Sequence, residues 1–208
     1  MSFCETLYEE AKSIGVDLNE LALNRFQTYY EMLLDYNERM NLTAITEENE
    51  VIVKHFCDSL FLLTKYDIKP GAKVIDVGTG AGFPGVPLMI ARPDLKITLL
   101  DGLNKRLVFL SDVCERLGLS AEIVHSRAED GANDKKYREK FDVATSRAVA
   151  RLNVLCEYCL PYVKKDGVFL AMKGPAGDEE LAESQNALKV LGGQVTAVEK
   201  YTLSDESL

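Results

Sequence analysis

Residues Lys73–Gly85, KVIDVGTGAGFPG, decide the fold. A short run rich in Val and Ile enters a loop with glycine at 78, 80 and 82, and the apolar stretch GVPLMIA follows. A strand passing through a glycine turn into a helix is the opening unit of an open α/β sheet. Glycine lets such a turn tighten and lets backbone approach a ligand closely. Two features separate this turn from a dinucleotide fingerprint: Asp76 sits two places before Gly78, and Phe83 stands where GxGxxG needs its last glycine.

Working outward, short apolar strands alternate with helical stretches. The pattern predicts strands near 73–77, 96–100, 121–125, 142–146 and 167–172, and helices near 85–91, 104–117, 150–162 and 178–191. Residues 194–201 are a candidate further strand, and Glu129–Lys140 reads as a solvated loop or short helix. Upstream of the turn signal Lys69-Pro70-Gly71 the texture is helical, with apolar stripes over 17–40 and 47–66 and a shorter helix before them. The expected architecture is α/β: a Rossmann-like, doubly wound, mainly parallel sheet carrying N-terminal helices. Residues 1–68 form a helical extension packed on a core of 69–208, one compact domain overall.

Composition narrows the class. At 208 residues and 47% hydrophobic the chain can bury a core, and no apolar run approaches the roughly 18 residues of a membrane helix. The N-terminus carries no secretion signal, so a cytoplasmic protein is expected. Five scattered cysteines argue against a disulfide framework, and the Cys156/Cys159 pair has no second pair to complete a metal site, so no metal is expected. A net charge of −9 argues against nonspecific nucleic-acid binding while leaving room for a local basic rim; monomer is the default.

The strand tips supply candidate site residues. Asp76 disfavours a pyrophosphate and suits a cofactor with an ammonium group, such as S-adenosylmethionine. Asp101, at the tip of the second strand, is placed to accept hydrogen bonds from ribose hydroxyls. Ala128 and Glu129 follow the third strand, where adenine lies in methyltransferases of this class; Glu129 also suits a helix N-terminus electrostatically. The fourth strand ends in Ser146-Arg147, without the [DN]PP[YF] signature of amine methylation or the Pro-Cys of pyrimidine C5 methylation. An acceptor that is already nucleophilic, such as guanine N7, then needs mainly orientation, and an arginine fork suits a base edge; a structural ion pair with Glu129 or Asp142 is the other reading of Arg147. Lys105 and Arg106 open a helix against its dipole, which points to an anionic partner or to plain solvation, and Lys173 ends the fifth strand on the same edge.

MNLTAI (40–45), HFCDSL (55–60), VIDVGTGAGFPGVPL (74–88), LLDGLNKRLVFL (99–110), RAED (127–130), SRAVA (146–150) and MKG (172–174) together closely resemble the bacterial RsmG or GidB family. Its members are guanine-N7 methyltransferases of small-subunit (16S) ribosomal RNA, also called glucose-inhibited division protein B. The likeness covers about residues 25–175. It implies S-adenosylmethionine as methyl donor, S-adenosylhomocysteine as product, and 16S RNA or the small subunit as partner. It also implies a cofactor site lined by Gly78, Phe83, Ala128, Glu129 and Arg147, beside the candidate Gly80 of the glycine turn, and an RNA face bordered by Asn41, His55 and Lys173. His55 equally fits a packed core residue. Two departures stand out. The family continues past the equivalent of Leu208 into a final strand, which puts the sheet edge in doubt, and Gly102 replaces a serine after the second-strand acid, which is expected to loosen that turn.

Other readings stay open: a class I methyltransferase acting on a small molecule or protein, a nicotinamide-dependent oxidoreductase, disfavoured by Asp76 and Phe83, and a cofactor-binding module without turnover.

Overall fold

The structure is a computed structural model and describes residues 1–204. The chain's end at Leu208 lies outside the described residues.

The N-terminal helices begin where side chains can satisfy free backbone donors. Helix α1 (Phe3–Ser13) is opened by a reciprocal Ser2–Glu5 capping box, and α2 (Glu20–Met40) by Asn19, whose Oδ1 accepts from Ala22 N at 2.9 Å. Helix α2 ends at Asn41, in the left-handed region at φ 49°, which asparagine tolerates. The stretch expected as one helix over 47–66 is α3 (Glu48–Val51), a π-helical turn (Ile52–Cys57) and α4 (Asp58–Lys65). Such widened turns recur at functional sites, and this one carries His55.

Among the described residues five strands follow: β1 (Lys73–Val77), β2 (Lys96–Asp101), β3 (Glu122–His125), β4 (Phe141–Arg147) and β5 (Val163–Met172). All pair in parallel, in the order β3-β2-β1-β4-β5. The crossovers carry α5 (Gly85–Ala91), α6 (Asn104–Leu117), α7 (Ala128–Asn133) and α8 (Leu152–Cys159), with α9 (Gly177–Glu183) and α10 (Gln185–Leu191) after β5. The chain leaves β1 toward β2 and later returns to its other side as β4. That reversal opens a crevice at the carboxyl ends of the strands, the ligand position in open α/β sheets.

Alternation along β1 divides the interior. Val74 joins a large core with Phe3, Phe26, Tyr29 and Phe56 from the N-terminal segment, whereas Ile75 and Val77 join a smaller one with Phe141 and Tyr162. Residues of the N-terminal helices and the sheet thus share one core. Burying Phe56, which has no exposed surface and touches the rings of Phe26 and Tyr29, contributes about 1.5–3 kcal/mol.

Helices α5 and α6 have the expected bounds; other elements differ for local reasons. Strand β5 starts at Val163 rather than Gly167, because it passes through a charged Lys164-Lys165-Asp166 irregularity, with Asp166 at φ 65°, that reads as a turn in sequence. Pro161 marks the change from α8 to a short 3-10 turn (Leu160–Tyr162). The expected helix over 178–191 divides at buried Ser184, whose hydroxyl turns back to Leu181 O. Residues 194–201, a candidate strand, have no regular structure.

Candidate active site

A cavity of about 570 Å³ opens at the switch point, within the range of small-molecule sites. Its floor is the glycine loop. Gly78 and Thr79 donate to Leu100 O at 2.8 and 3.0 Å, which ties the loop to β2. Gly78 adopts φ 71°, and a Cβ there would fall 2.6 Å from Val149 Cγ2, so glycine is required for both conformation and space. Tyr29 on α2 donates to Ala81 O at 2.6 Å, fixing the far end of the loop from the N-terminal helices.

Asp101 braces one wall. Its Oδ2 accepts from Gly80 N at 2.9 Å and its Oδ1 from Leu103 N at 2.8 Å, with Arg106 Nη1 3.4 Å away. The cavity also meets Gly102, but a Cβ there would find nothing nearer than 4.0 Å. The expected loosening at Gly102 is met by Asp101: its side chain holds Leu103 N and its carbonyl accepts from Ser126 N.

The second wall comes from the start of α7. Ala128 and exposed Glu129 line the cavity, and Tyr162 donates to Ala128 O at 2.7 Å. Tyr158 stands beside them, its hydroxyl pushed up by the charge of Glu129.

Arg147 forms the third wall. Its Nη1 donates to Asp58 Oδ2 at 2.8 Å and to Lys54 O at 3.0 Å, and its Nη2 lies 3.2 Å from His55 Nδ1. The guanidinium carbon sits 4.8 Å from the Phe83 ring centroid, a cation–π contact. His55 Nδ1 also lies 3.1 Å from Lys54 O, and its Nε2 lies 2.8 Å from Thr43 Oγ1, so the ring is held on both nitrogens. Burial, then the charge of Arg147, holds His55 down at about 4, neutral near pH 7. Three of the five N–H groups of Arg147 are committed; among the described residues the other two have no protein partner.

Several expected residues fall elsewhere. Asp76, expected to face an ammonium, has no exposed surface and lies beneath the loop, accepting from Thr79 Oγ1 at 2.6 Å and Gly85 N at 2.9 Å. Its Oδ1 is buried without a partner among the described residues, and burial pushes its carboxyl up to about 6. Strand alternation explains this, since Asp76 shares the face of Val74. Lys173, expected on the RNA face, is turned inward: it pairs with Glu180 at 2.7 Å and donates to Ala150 O at 2.8 Å, so it props the loop after β4. Arg147 does take a structural ion pair, with Asp58 rather than Glu129 or Asp142. His55 is packed at 8% exposure. Asn41 caps α2, and exposed Lys105 reaches Met40 O beside it at 3.5 Å, bringing 41 and 105 together.

The rim also carries exposed Arg127 and the exposed apolar side chains of Leu103 and Val149. Tyr29, Asp58, Arg127, Tyr158 and Tyr201, whose hydroxyl donates to Asp58 Oδ1 at 2.7 Å, also stand at the site or support it without a candidate role in the sequence. A charged Asp58 inside the apolar run HFCDSLFLL signals a buried partner; Tyr29 reads simply as core, and Tyr201 carries no local signal. Among the described residues no group of three or more His, Cys, Asp or Glu is placed to hold a metal. Burial pushes the Cys57 thiol up to about 12 and Cys114 to about 11, away from the reactive thiolate form.

A sequence profile described as rRNA small subunit methyltransferase G matches residues 22–208. The chain belongs to the rRNA small subunit methyltransferase G family. It is 49% identical over 209 residues to the protein named ribosomal RNA small subunit methyltransferase G of Clostridium beijerinckii, covering 100% of this chain and 87% of that one. It is 52% identical over 200 residues to the protein of the same name from Thermoanaerobacter sp., covering 96% and 83%. A solved SAM-dependent methyltransferase from Aquifex aeolicus superposes with TM-score 0.57 at 19% identity, over 79% of this chain and 92% of that one. That likeness is one of fold, and it matches the class expected from the sequence. Family membership makes the cavity at the β1–β4 switch point the candidate active site.

Proposed function

We propose that this protein transfers a methyl group from S-adenosylmethionine to N7 of a guanine in 16S ribosomal RNA, releasing S-adenosylhomocysteine. The observation that carries the reading is the joining of a cavity of about 570 Å³, ringed by Gly80, Asp101, Ala128 and Glu129, to an arginine with two donors uncommitted among the described residues.

The residues fit the cofactor. A Cβ on Gly80 would meet only Gly78 O, at 3.9 Å, so the loop backbone is open to close approach. Asp101 presents acceptors suited to ribose hydroxyls, and Phe83, Leu100, Leu103 and Ala128 give apolar walls. When bound, S-adenosylmethionine supplies a methyl carbon on a sulfonium; the N7 lone pair forms the new bond while the C–S electron pair leaves on sulfur.

N7 carries no hydrogen, so no proton leaves the reacting atom. The chain therefore needs no general base there, in keeping with a neutral His55 whose Nδ1 faces Arg147. Its task is orientation and exclusion of water. The free N–H groups of Arg147 donate to the O6 edge of guanine and leave N7 open for in-line approach. Exposed Lys105, Arg127 and the Asn41 cap form the RNA-facing rim, and half-buried Arg106 is shared between that rim and Asp101. Residues 1–68 act as an extension that fixes the core of 69–208, the protein works as a cytoplasmic monomer, and no helix of the described residues is long and apolar enough to cross a membrane.

The test is methyl-tritiated cofactor offered in parallel to small ribosomal subunits from cells lacking this enzyme, to large subunits, and to an RNA-free extract. Label confined to small-subunit RNA supports the reading; label in protein or small molecules replaces it with the small-molecule or protein methyltransferase.

A further inference from the structure

Asp58 and Phe61 lie three residues apart on α4 and so share a face. Tyr201, from the segment after α10, meets both. Its ring stacks on Phe61 with centroids 4.0 Å apart and planes 27° apart, and its hydroxyl donates to Asp58 Oδ1 at 2.7 Å. The other oxygen of Asp58 holds Arg147 at 2.8 Å, in a pair whose side chains are only 14% and 16% exposed.

We propose that Tyr201 is a positioning residue for methyl transfer, acting through Asp58 to hold the Arg147 guanidinium at the cavity wall. The proposal rests on the reading of Arg147 as the group that orients the base. A carboxylate held on one oxygen alone can swing about its side-chain bonds and carry its partner with it. Held on both, with the phenol ring fixed by Phe61, it presents one geometry. Burial, with the charge of Asp58, raises the Tyr201 hydroxyl far above its ordinary range, so it stays a donor at every pH at which the protein works. Segment 193–204 has no regular structure and leaves Val195 and Val198 exposed. Tyr201 thus brings this part of the chain against the support of Arg147, and the β4 side chain on the cavity wall is backed by α4 and by a residue 143 positions beyond Asp58.

Two readouts test this in the full chain. Tyr201→Phe keeps the ring on Phe61 and removes the hydroxyl. It is expected to lower kcat on small subunits about tenfold, because small misplacements of an orienting group are costly, with KM for S-adenosylmethionine within about twofold. In an Arg147→Lys background the same change is expected to cost less than about twofold, since the fork it positions is already gone. The second readout needs no turnover. The chain has two histidines, so 15N-histidine labelling gives two imidazoles, and the Nδ1 signal of His55 is expected to move in Tyr201→Phe while exposed His125 stays fixed. Asp58→Asn, read by the same signal, serves if Tyr201→Phe folds poorly. An unchanged kcat, or equal losses in both backgrounds with His55 unmoved, overturns the proposal. If the wild-type protein labels no ribosomal RNA, the functional reading fails by itself, and the His55 signal alone decides whether Tyr201 positions Arg147.

Discussion

Tyr29, in the middle of a helix that precedes the sheet, donates its hydroxyl to the carbonyl of Ala81 inside the glycine loop, 2.6 Å away. The first third of the chain thereby sets the floor of the cavity. Tyr29→Phe keeps the ring packing and leaves a buried carbonyl unpaired, which costs about 1–3 kcal/mol of folding stability. Chemical denaturation measures that loss, and calorimetric titration is expected to show S-adenosylmethionine binding several-fold weaker.

Gly82 and Gly102 are both loop glycines with opposite expectations. At Gly82, φ is 104°, and a Cβ would fall 2.7 Å from Val86, 2.8 Å from Leu110 and 2.8 Å from the Tyr29 hydroxyl. Gly82→Ala is expected to destabilise by about 3 kcal/mol or more, from strain plus overpacking. Gly102 has open space around it, so Gly102→Ser is expected to shift stability by less than about 0.5 kcal/mol. Thermal melts of the two variants side by side check the contrast.

Asp101 holds the backbone of Gly80 and Leu103 at once. Asp101→Ala frees both donors and removes the acceptors offered to a ribose. Cofactor affinity is expected to fall at least about tenfold, equal to the roughly 1.4 kcal/mol of one charge-assisted hydrogen bond. The comparison is a titration of wild type and variant with S-adenosylhomocysteine.

His55 makes stability depend on pH with a definite sign. Its folded value of about 4 lies below the 6.5 of the unfolded chain, so between those values the unfolded state binds more protons and stability rises with pH. Asp76 acts oppositely: its folded value of about 6 exceeds 3.8, so its contribution falls as pH rises from about 4 to 6. Replacing His55 removes the first term. The stability of wild type minus that of His55→Gln is expected to grow by about 3 kcal/mol from pH 4 to pH 6.5. Urea denaturation at half-unit pH steps measures it; a difference independent of pH would mean that His55 is not held neutral by burial.

Much of this organisation was legible in the sequence because it rests on local rules. The Val- and Ile-rich runs, glycine turn and helical stripes locate β1, α5, α6 and the parallel sheet, and the strand-tip rule brings Asp101, Glu129 and Arg147 to one cavity. What was not legible depends on distance or on facing. Asp76 is in the right loop, yet strand alternation turns it under the backbone, where Gly85 N and Thr79 take it. Lys173 ends the expected strand, but Glu180, from the next helix, draws it inward. Asp58, Arg147 and Tyr201 meet from three separate parts of the chain, and no periodicity links them. The charged bulge at 164–166 hides the start of β5, since Asp166 pairs a turn-like residue with a left-handed backbone.

Methyl transfer to guanine N7 of small-subunit RNA leaves a product whose position can be mapped. Small subunits from cells lacking the enzyme are methylated by the purified protein, and the RNA is treated with borohydride and aniline, which cut the strand at N7-methylguanine. One new cleavage site is expected at a single guanine of 16S RNA, dependent on S-adenosylmethionine and lost with Arg147→Ala. Methyl incorporation into the RNA without any new cleavage site would place the methyl group on an atom other than guanine N7.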